Sequence, residues 1–144
     1  MSEMGDRGQR TTRDSWGQLA PVSSPRPIPA PRKTWSASDW YRIERGHLPQ
    51  HLEDKWFSYV EAQRLFLHRR WTGIGIYEVQ FDTNGDRWRI TEALITNDVN
   101  VWWGRGTDEQ ASVRLEMLIE GVLLGRSTGD YEMWRRELED CSEA

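Results

Sequence analysis

The strongest constraint on the fold is a change in the spacing of apolar residues near position 107. Between Trp56 and Thr96 the apolar residues form short strand-like runs separated by turns. After Thr107 they recur at helical spacing, as Leu115, Leu118, Ile119, Val122 and Leu123. A run of strands followed by helices predicts an α+β fold, in which an antiparallel sheet of four to five strands carries helices on one face.

Four strands are predicted before this change of spacing. Their ranges are Trp56–Val60, Arg64–Arg69, Gly73–Phe81 and Arg87–Thr96. The pair Asn84-Gly85 predicts a tight hairpin between the last two, because both residues tolerate positive φ angles. Alternation along the last strand predicts one face with Trp88, Ile90 and Leu94. The segment Val99–Trp103 is a candidate for a short fifth strand.

Capping residues mark the helices. Thr107 with Gln110 three positions later predicts a capping box at the start of a long helix, which Gly125 would end. A shorter helix is predicted over Asp130–Glu139. Near the start of the domain, Ser36 followed by Asp39 predicts a short helical turn closed by Gly46.

The first 33 residues differ in composition from the rest. They contain few apolar groups and end in prolines at every second position, from Pro25 to Pro31. Such a segment favours an extended conformation without a packed face. We therefore predict a disordered, proline-rich arm over residues 1–33 and a single α+β domain over residues 34–140. A chain of 144 residues fits one domain.

Composition restricts the class of protein. The net charge is −4, which argues against a general nucleic-acid-binding protein. One cysteine, Cys141, allows neither an internal disulfide nor a cysteine metal site. There is neither a membrane-spanning apolar run nor the apolar core of a secretory signal, so a cytoplasmic protein without a membrane partner is expected.

The segment His68–Gly73 is the first candidate for a functional site. His68, Arg69, Arg70, Trp71 and Thr72 bring an imidazole, two guanidiniums, an indole and a hydroxyl together before Gly73. Guanidiniums suit phosphate and an indole suits a stacked ring, while glycine lets a ligand approach the backbone. The alternative interpretation is a charged turn between two strands with Trp71 packed in the core.

Four further residues complete the predicted site. Arg87 and Arg89 would add positive charge on a sheet face, unless they form cross-strand ion pairs with Glu78. Glu53 and Asp54 could assist His68 as general base, unless they lie in a solvated loop.

No metal ion or cofactor is predicted. His47 and His51 have metal-ligand spacing only on a helix, and Pro49 lies between them.

Two stretches resemble a known family. Glu53-Asp54-Lys55-Trp56-Phe57, and Phe66 to Gly73 with its His-Arg-x-Trp-Thr-Gly pattern, are similar to short bacterial proteins labelled ADP-ribosyl-(dinitrogen reductase) hydrolase. The resemblance covers roughly residues 40–124. It implies a small bacterial domain with a recurring site at His68–Gly73, and by its label a hydrolase that acts on an ADP-ribosyl linkage.

Two main hypotheses follow. The first is a domain that binds a nucleotide-like anion such as ADP-ribose through Arg69, Arg70 and Trp71, with His68 as acid or base if it is a hydrolase. The second is a non-catalytic module, accessory or immunity-type, that binds an unknown protein partner through its tryptophans and arginines. Binding of single-stranded nucleic acid by stacking is disfavoured by the acidic net charge. Neither the ligand nor the oligomeric state follows from the sequence.

Overall fold

A six-stranded antiparallel sheet forms the centre of the fold. The computed structural model describes residues 10–98 and 107–126. Its strands are β1 (Pro25–Ile28), β2 (Thr34–Trp35), β3 (Trp56–Glu61), β4 (Arg64–Arg69), β5 (Gly75–Thr83) and β6 (Trp88–Thr96). Their order across the sheet is β1-β6-β5-β4-β3, and β2 also pairs with β6. The α+β class and the antiparallel sheet predicted from the sequence are confirmed.

Two hairpins build the β3–β6 part of the sheet as predicted. Ala62 and Gln63 join β3 to β4 with φ angles of 51° and 64°, which is the backbone twist that a two-residue hairpin turn requires. The turn between β5 and β6 contains Gly85 at φ 109°. The Asn84 side-chain oxygen accepts hydrogen bonds there from the amides of Asp86 and Arg87. Local turn chemistry therefore sets the β5–β6 hairpin, whereas Ala62 and Gln63 have no preference for positive φ and are held there by the pairing of β3 with β4.

A β-bulge corrects the predicted alternation of β6. Gln80 pairs with Glu92 and Phe81 pairs with Ile90, so Thr91 has no residue opposite it. Because of this extra residue, each side chain beyond it points to the face opposite to the one that simple alternation predicts. Ala93 and Ile95 therefore share the buried face with Ile90. The prediction that Leu94 lies on that face was wrong.

Residues 10–33 also differ from the predicted arm. Residues 25–28 form β1, paired with residues 93–96 of β6 at the edge of the sheet. Alternate prolines suit an edge strand, because Arg26 and Ile28 can donate to β6 while Pro25 and Pro27, which lack an amide hydrogen, face away. The sheet thus has six strands instead of four or five, and one of them lies where a disordered arm was predicted. Residues 1–9 of that arm lie outside the described residues.

Two helices pack on the sheet. Helix α1 (Ala37–Arg45) begins at Ser36, whose side chain accepts from the Asp39 amide, and ends at Gly46 at φ 79°. Helix α2 (Asp108–Leu118) begins with the capping box of Thr107 and Gln110. It continues as a π-helical turn over Ile119–Leu123. The helix predicted over Asp130–Glu139 and the strand over Val99–Trp103 lie outside the described residues.

The main core lies between the helices and one face of the sheet. Leu65, Tyr77, Val79 and Phe81 pack there against apolar residues of α2, including Leu115. The Tyr77 hydroxyl donates to the carbonyl of Ala111 at 3.0 Å. Burial raises the pKa of Tyr77, so this hydroxyl keeps its proton and the bond. Within the described residues no helix has the length and apolar character needed to cross a membrane.

The opposite face carries an aromatic row. Phe57, Tyr59, Phe66 and His68 are neighbours on β3 and β4, with ring centroids 4.8 to 6.3 Å apart. Residues 10–24, which we call the strap, run across this face of the sheet. Within the strap, Trp16 stacks on Phe57 at 6.1 Å. The strap thus covers a second, smaller apolar layer.

Candidate functional site

His68 lies inside the aromatic row. Its side chain is buried, with 2% of the residue exposed. Nδ1 lies 2.9 Å from the carbonyl oxygen of Gly73, and Nε2 is buried without a hydrogen-bond partner in the described structure. Burial lowers the pKa of His68, so the ring is neutral at neutral pH. Such a ring has no path to a substrate in this conformation.

Gly73 of the predicted site and the nearby Gly75 both face the strap. Gly73 has φ 71°, and a Cβ placed on it would lie 2.1 Å from the carbonyl oxygen of Gln18. A Cβ on Gly75 would lie 2.8 Å from the amide nitrogen of Val22. Ala20 donates to Gly73 and accepts from Gly75 through its backbone. In this structure the backbone that approaches both glycines closely is that of the strap, where the sequence predicted a ligand at Gly73.

The two arginines of the motif contact protein groups. The Arg70 guanidinium donates to the carbonyl of His51 and, at 3.4 Å, to that of Asp54. The Arg70 Cζ also lies 5.9 Å from the centroid of the Trp16 ring and 5.7 Å from that of the Trp71 ring. Arg69 lies 5.5 Å from the Trp56 ring, and burial lowers its pKa. Arg70 thereby ties the loop that carries Asp54 to the end of β4.

Trp71 and Thr72 lie at the surface. Trp71 is 58% exposed, so it is not a core residue. The Thr72 hydroxyl accepts from the Ile74 amide at 3.2 Å and shapes the turn.

Arg87 and Arg89 lie at the far end of the sheet from His68. Thr83 pairs with Trp88, whereas His68 pairs with Gly75, so the length of β5, roughly 27 Å, separates them. Arg87 donates to Thr34, and Arg89 lies 3.8 Å from Asp82. The expected partner Glu78 pairs instead with Arg64 at 2.9 Å. The structure therefore does not bring these two arginines to the predicted site.

Asp54 has a histidine partner other than His68. Its Oδ2 lies 2.7 Å from Nε2 of His47 and accepts from the Gln50 amide at 3.1 Å. Both side chains are largely buried. The backbone of His47 pairs with Ser58 on the edge of β3, which fixes the position of the His47 backbone. The result is a carboxylate–imidazole pair of the kind used in acid–base chemistry.

Two cavities meet at His47. The larger, of about 730 Å³, is lined by three arginines, Arg10, Arg42 and Arg45, together with His47 and strap residues Thr11 and Ser15. None of the described residues that line it is acidic. The smaller, of about 330 Å³, is lined by the carboxylates of Glu53 and Asp54 and by Lys55, His51 and Trp56 as well as His47. We call them the arginine cavity and the acidic cavity.

The π-helical turn borders both cavities. Leu123 lines the arginine cavity, and Gly121 and Val122 line the acidic cavity. Single π turns inside α-helices are rare and occur frequently at functional sites. This turn is held in place by Glu120, which accepts from Nε1 of Trp35 at 2.6 Å and lies 3.3 Å from Arg126.

Sequence reasoning missed the arginines and the imidazole of this site. Arg10 reaches it only through the docking of the strap, which its composition does not predict. Arg42 and Arg45 occupy the last turn of α1, where arginines are also common as partners of the helix dipole. His47 lies seven residues from Asp54, and side chains that far apart do not touch within one helix or one strand. The one sequence signal for this site was the adjacent pair of carboxylates, Glu53 and Asp54. Both of them line the acidic cavity.

The described residues contain no group of three or more histidine, cysteine, aspartate or glutamate side chains placed to hold a metal ion. Comparison with protein-family models, with curated proteins and with solved structures finds no match to the chain.

Proposed function

We propose that this protein binds a phosphate-bearing small molecule of nucleotide size in the arginine cavity. The observation that carries the proposal is the convergence of Arg10, Arg42 and Arg45 on one cavity without an acidic lining residue. A volume of about 730 Å³ falls within the range of small-molecule sites. ADP-ribose and NAD are the first candidates, because the family resemblance suggests an ADP-ribosyl ligand.

The guanidiniums of Arg10 and Arg42 retain donors for a ligand. Arg42 uses one nitrogen to bond the Leu124 carbonyl at 2.6 Å. Arg10 bonds the Val60 carbonyl at 3.2 Å and lies 3.8 Å from Glu44. Each guanidinium has five N–H donors, so these bonds orient the groups and leave others available. Planar guanidiniums held in this way favour bidentate contacts with phosphate oxygens.

Binding of inorganic pyrophosphate, AMP and ADP-ribose, measured by calorimetry, tests the proposal. Arg10→Gln and Arg45→Gln should each weaken pyrophosphate binding by about tenfold or more, since a charged hydrogen bond contributes roughly 1.5–3 kcal/mol. Arg87→Gln, at the far end of the sheet, is the matched control and should bind as the wild type does. Absence of binding, or equal affinity in all variants, would refute the proposal.

A second candidate function is a non-catalytic protein-interaction module. The specific observation that favours it is the exposure of Trp71 and Leu52, at 58% and 76%. The bond from Arg70 to the His51 carbonyl connects the two segments that carry them. Exposed aromatic and arginine side chains are enriched at protein interfaces. A partner that the wild type captures and Trp71→Ala loses, without any pyrophosphate binding, would establish this alternative.

A further inference from the structure

We infer that the protein is a phosphodiester hydrolase, in which His47 removes a proton from the attacking water and Asp54 positions the His47 ring. The inference rests on the proposed function, because it requires the arginine cavity to hold the phosphate of the substrate. It concerns a histidine different from the one in the sequence motif.

The His47 ring has one nitrogen committed and one available. Nε2 lies 2.7 Å from Oδ2 of Asp54, the only side-chain partner of His47 among residues 10–98 and 107–126. When the imidazole is neutral, the carboxylate holds the proton on Nε2, which leaves the lone pair of Nδ1 to accept a proton. This is the arrangement in which a carboxylate fixes the tautomer of a general base.

Asp54 is itself held in place. Its carboxylate accepts from the Gln50 amide, and its backbone carbonyl accepts from Arg70. The motif residue Arg70 thereby fixes the loop that positions the pair. An imidazole aligned by a rigid loop does not have to be ordered when the substrate binds.

The two cavities fit the two arms of a diester. His47 forms part of the wall of both, so a phosphate beside it has the arginine cavity on one side and the acidic cavity on the other. The arginines would neutralise the phosphate oxygens, and Glu53 in the acidic cavity would accept from hydroxyl groups of the second arm. Hydrolysis of a diester also benefits more from a general base than hydrolysis of a monoester does. Transfer of a terminal phosphoryl group has a loose transition state, in which a general base for the attacking water contributes little.

The reaction balances without a further reactant. The water oxygen bonds to phosphorus while its proton passes to Nδ1 of His47. The bond from phosphorus to the leaving oxygen breaks, and that oxygen takes the electron pair. The imidazolium then returns the proton to the leaving oxygen, so the products are one alcohol and one phosphate monoester.

Hydrolysis of bis(4-nitrophenyl) phosphate by the full chain tests the inference. The wild type should release 4-nitrophenolate. The His47→Gln variant should lose about 10²–10⁴-fold in kcat while binding pyrophosphate with unchanged affinity. Asp54→Asn should lower kcat with little change in KM, because an amide favours the wrong tautomer of His47. Asp82→Asn, an exposed carboxylate at the far end of the sheet, is the matched control and should keep full activity.

The outcomes separate this inference from the proposed function. Pyrophosphate binding without release of 4-nitrophenolate would overturn the inference and leave the binding function standing. Loss of both would overturn both. If His47→Gln reduces binding and turnover equally, His47 is a ligand contact and not the base. Thermal melting of each variant identifies a folding defect, and the Asp54→Asn variant then provides the decision if His47→Gln does not fold.

Discussion

The carbonyl oxygen of Gly73 accepts two hydrogen bonds, one from Nδ1 of His68 and one from the backbone amide of Ala20, each 2.9 Å long. A carbonyl can only accept, so the His68 proton lies on Nδ1. This oxygen therefore joins the strap, the end of β4 and the aromatic row.

Acid should destabilise the protein through His68. Because burial lowers the pKa of His68 in the folded state below its usual 6.5, the unfolded chain binds more protons below that pH. The contribution of neutral His68 to the free energy of unfolding is therefore fully present above about pH 6.5. It is lost as the pH falls, by at most about 1.4 kcal/mol per pH unit. Urea unfolding from about pH 7.5 to about pH 5.5 measures this. The His68→Phe variant should show a flatter dependence, and an unchanged slope would assign the effect to other groups.

Gly73→Ala should release the strap. A Cβ at this position meets the Gln18 carbonyl, and φ of 71° is strained for alanine. Strain of this kind costs about 1–3 kcal/mol. Gly85→Ala provides the control, since its φ is also positive but nothing lies within 4 Å of its Cβ. Limited proteolysis should cleave residues 10–24 faster in Gly73→Ala alone, and equal cleavage of both variants would contradict the packing described.

Trp16→Ala should weaken both stability and ligand binding. Trp16 stacks on Phe57, and its Nε1 donates to the Arg70 carbonyl at 2.9 Å. We expect a loss of about 1–3 kcal/mol in the free energy of unfolding, below the value for a fully buried tryptophan. Pyrophosphate affinity should fall as well, because the strap supplies Arg10 to the arginine cavity. Unchanged affinity in calorimetry would show that the cavity does not depend on the strap.

Glu120→Gln should destabilise the π-helical turn. Glu120 is buried, and it accepts from Trp35 and pairs with Lys33 and Arg126. Removing one member of a buried ion pair costs up to about 3–5 kcal/mol. The half-exposed Arg126 and Lys33 reduce this to about 1–3 kcal/mol, because water solvates them. Chemical denaturation measures the loss, and Glu92→Gln, which removes an exposed partner of Arg64, should change stability by less than about 1 kcal/mol.

The features predicted correctly from the sequence are local ones. The caps at Ser36 and Thr107 and the turn at Asn84-Gly85 depend on neighbours within four residues, which a sequence displays directly. The bulge at Thr91 has no such signal, and one extra residue was enough to move Leu94 to the other face. Packing across the sheet decides such cases.

The strap and the candidate site depend on contacts between distant residues. Trp16 meets Arg70 across 54 positions, and no pattern within residues 1–33 indicates a partner. His68, Arg70 and Gly73 were identified as unusual, and the structure gives each of them a contact with the chain itself. The sequence thus indicated where special residues lie, but not whether they contact a ligand or their own backbone.

The two prolines of β1 also determine how this sheet can meet other chains. An exposed strand edge normally presents amide hydrogens and carbonyls in alternation, and another strand can add to them. At Pro25 and Pro27 the outward-facing backbone has no hydrogen to donate. A second molecule cannot extend the sheet through a regular ladder on that side, so the N-terminal segment that closes the sheet also protects it from edge-to-edge aggregation.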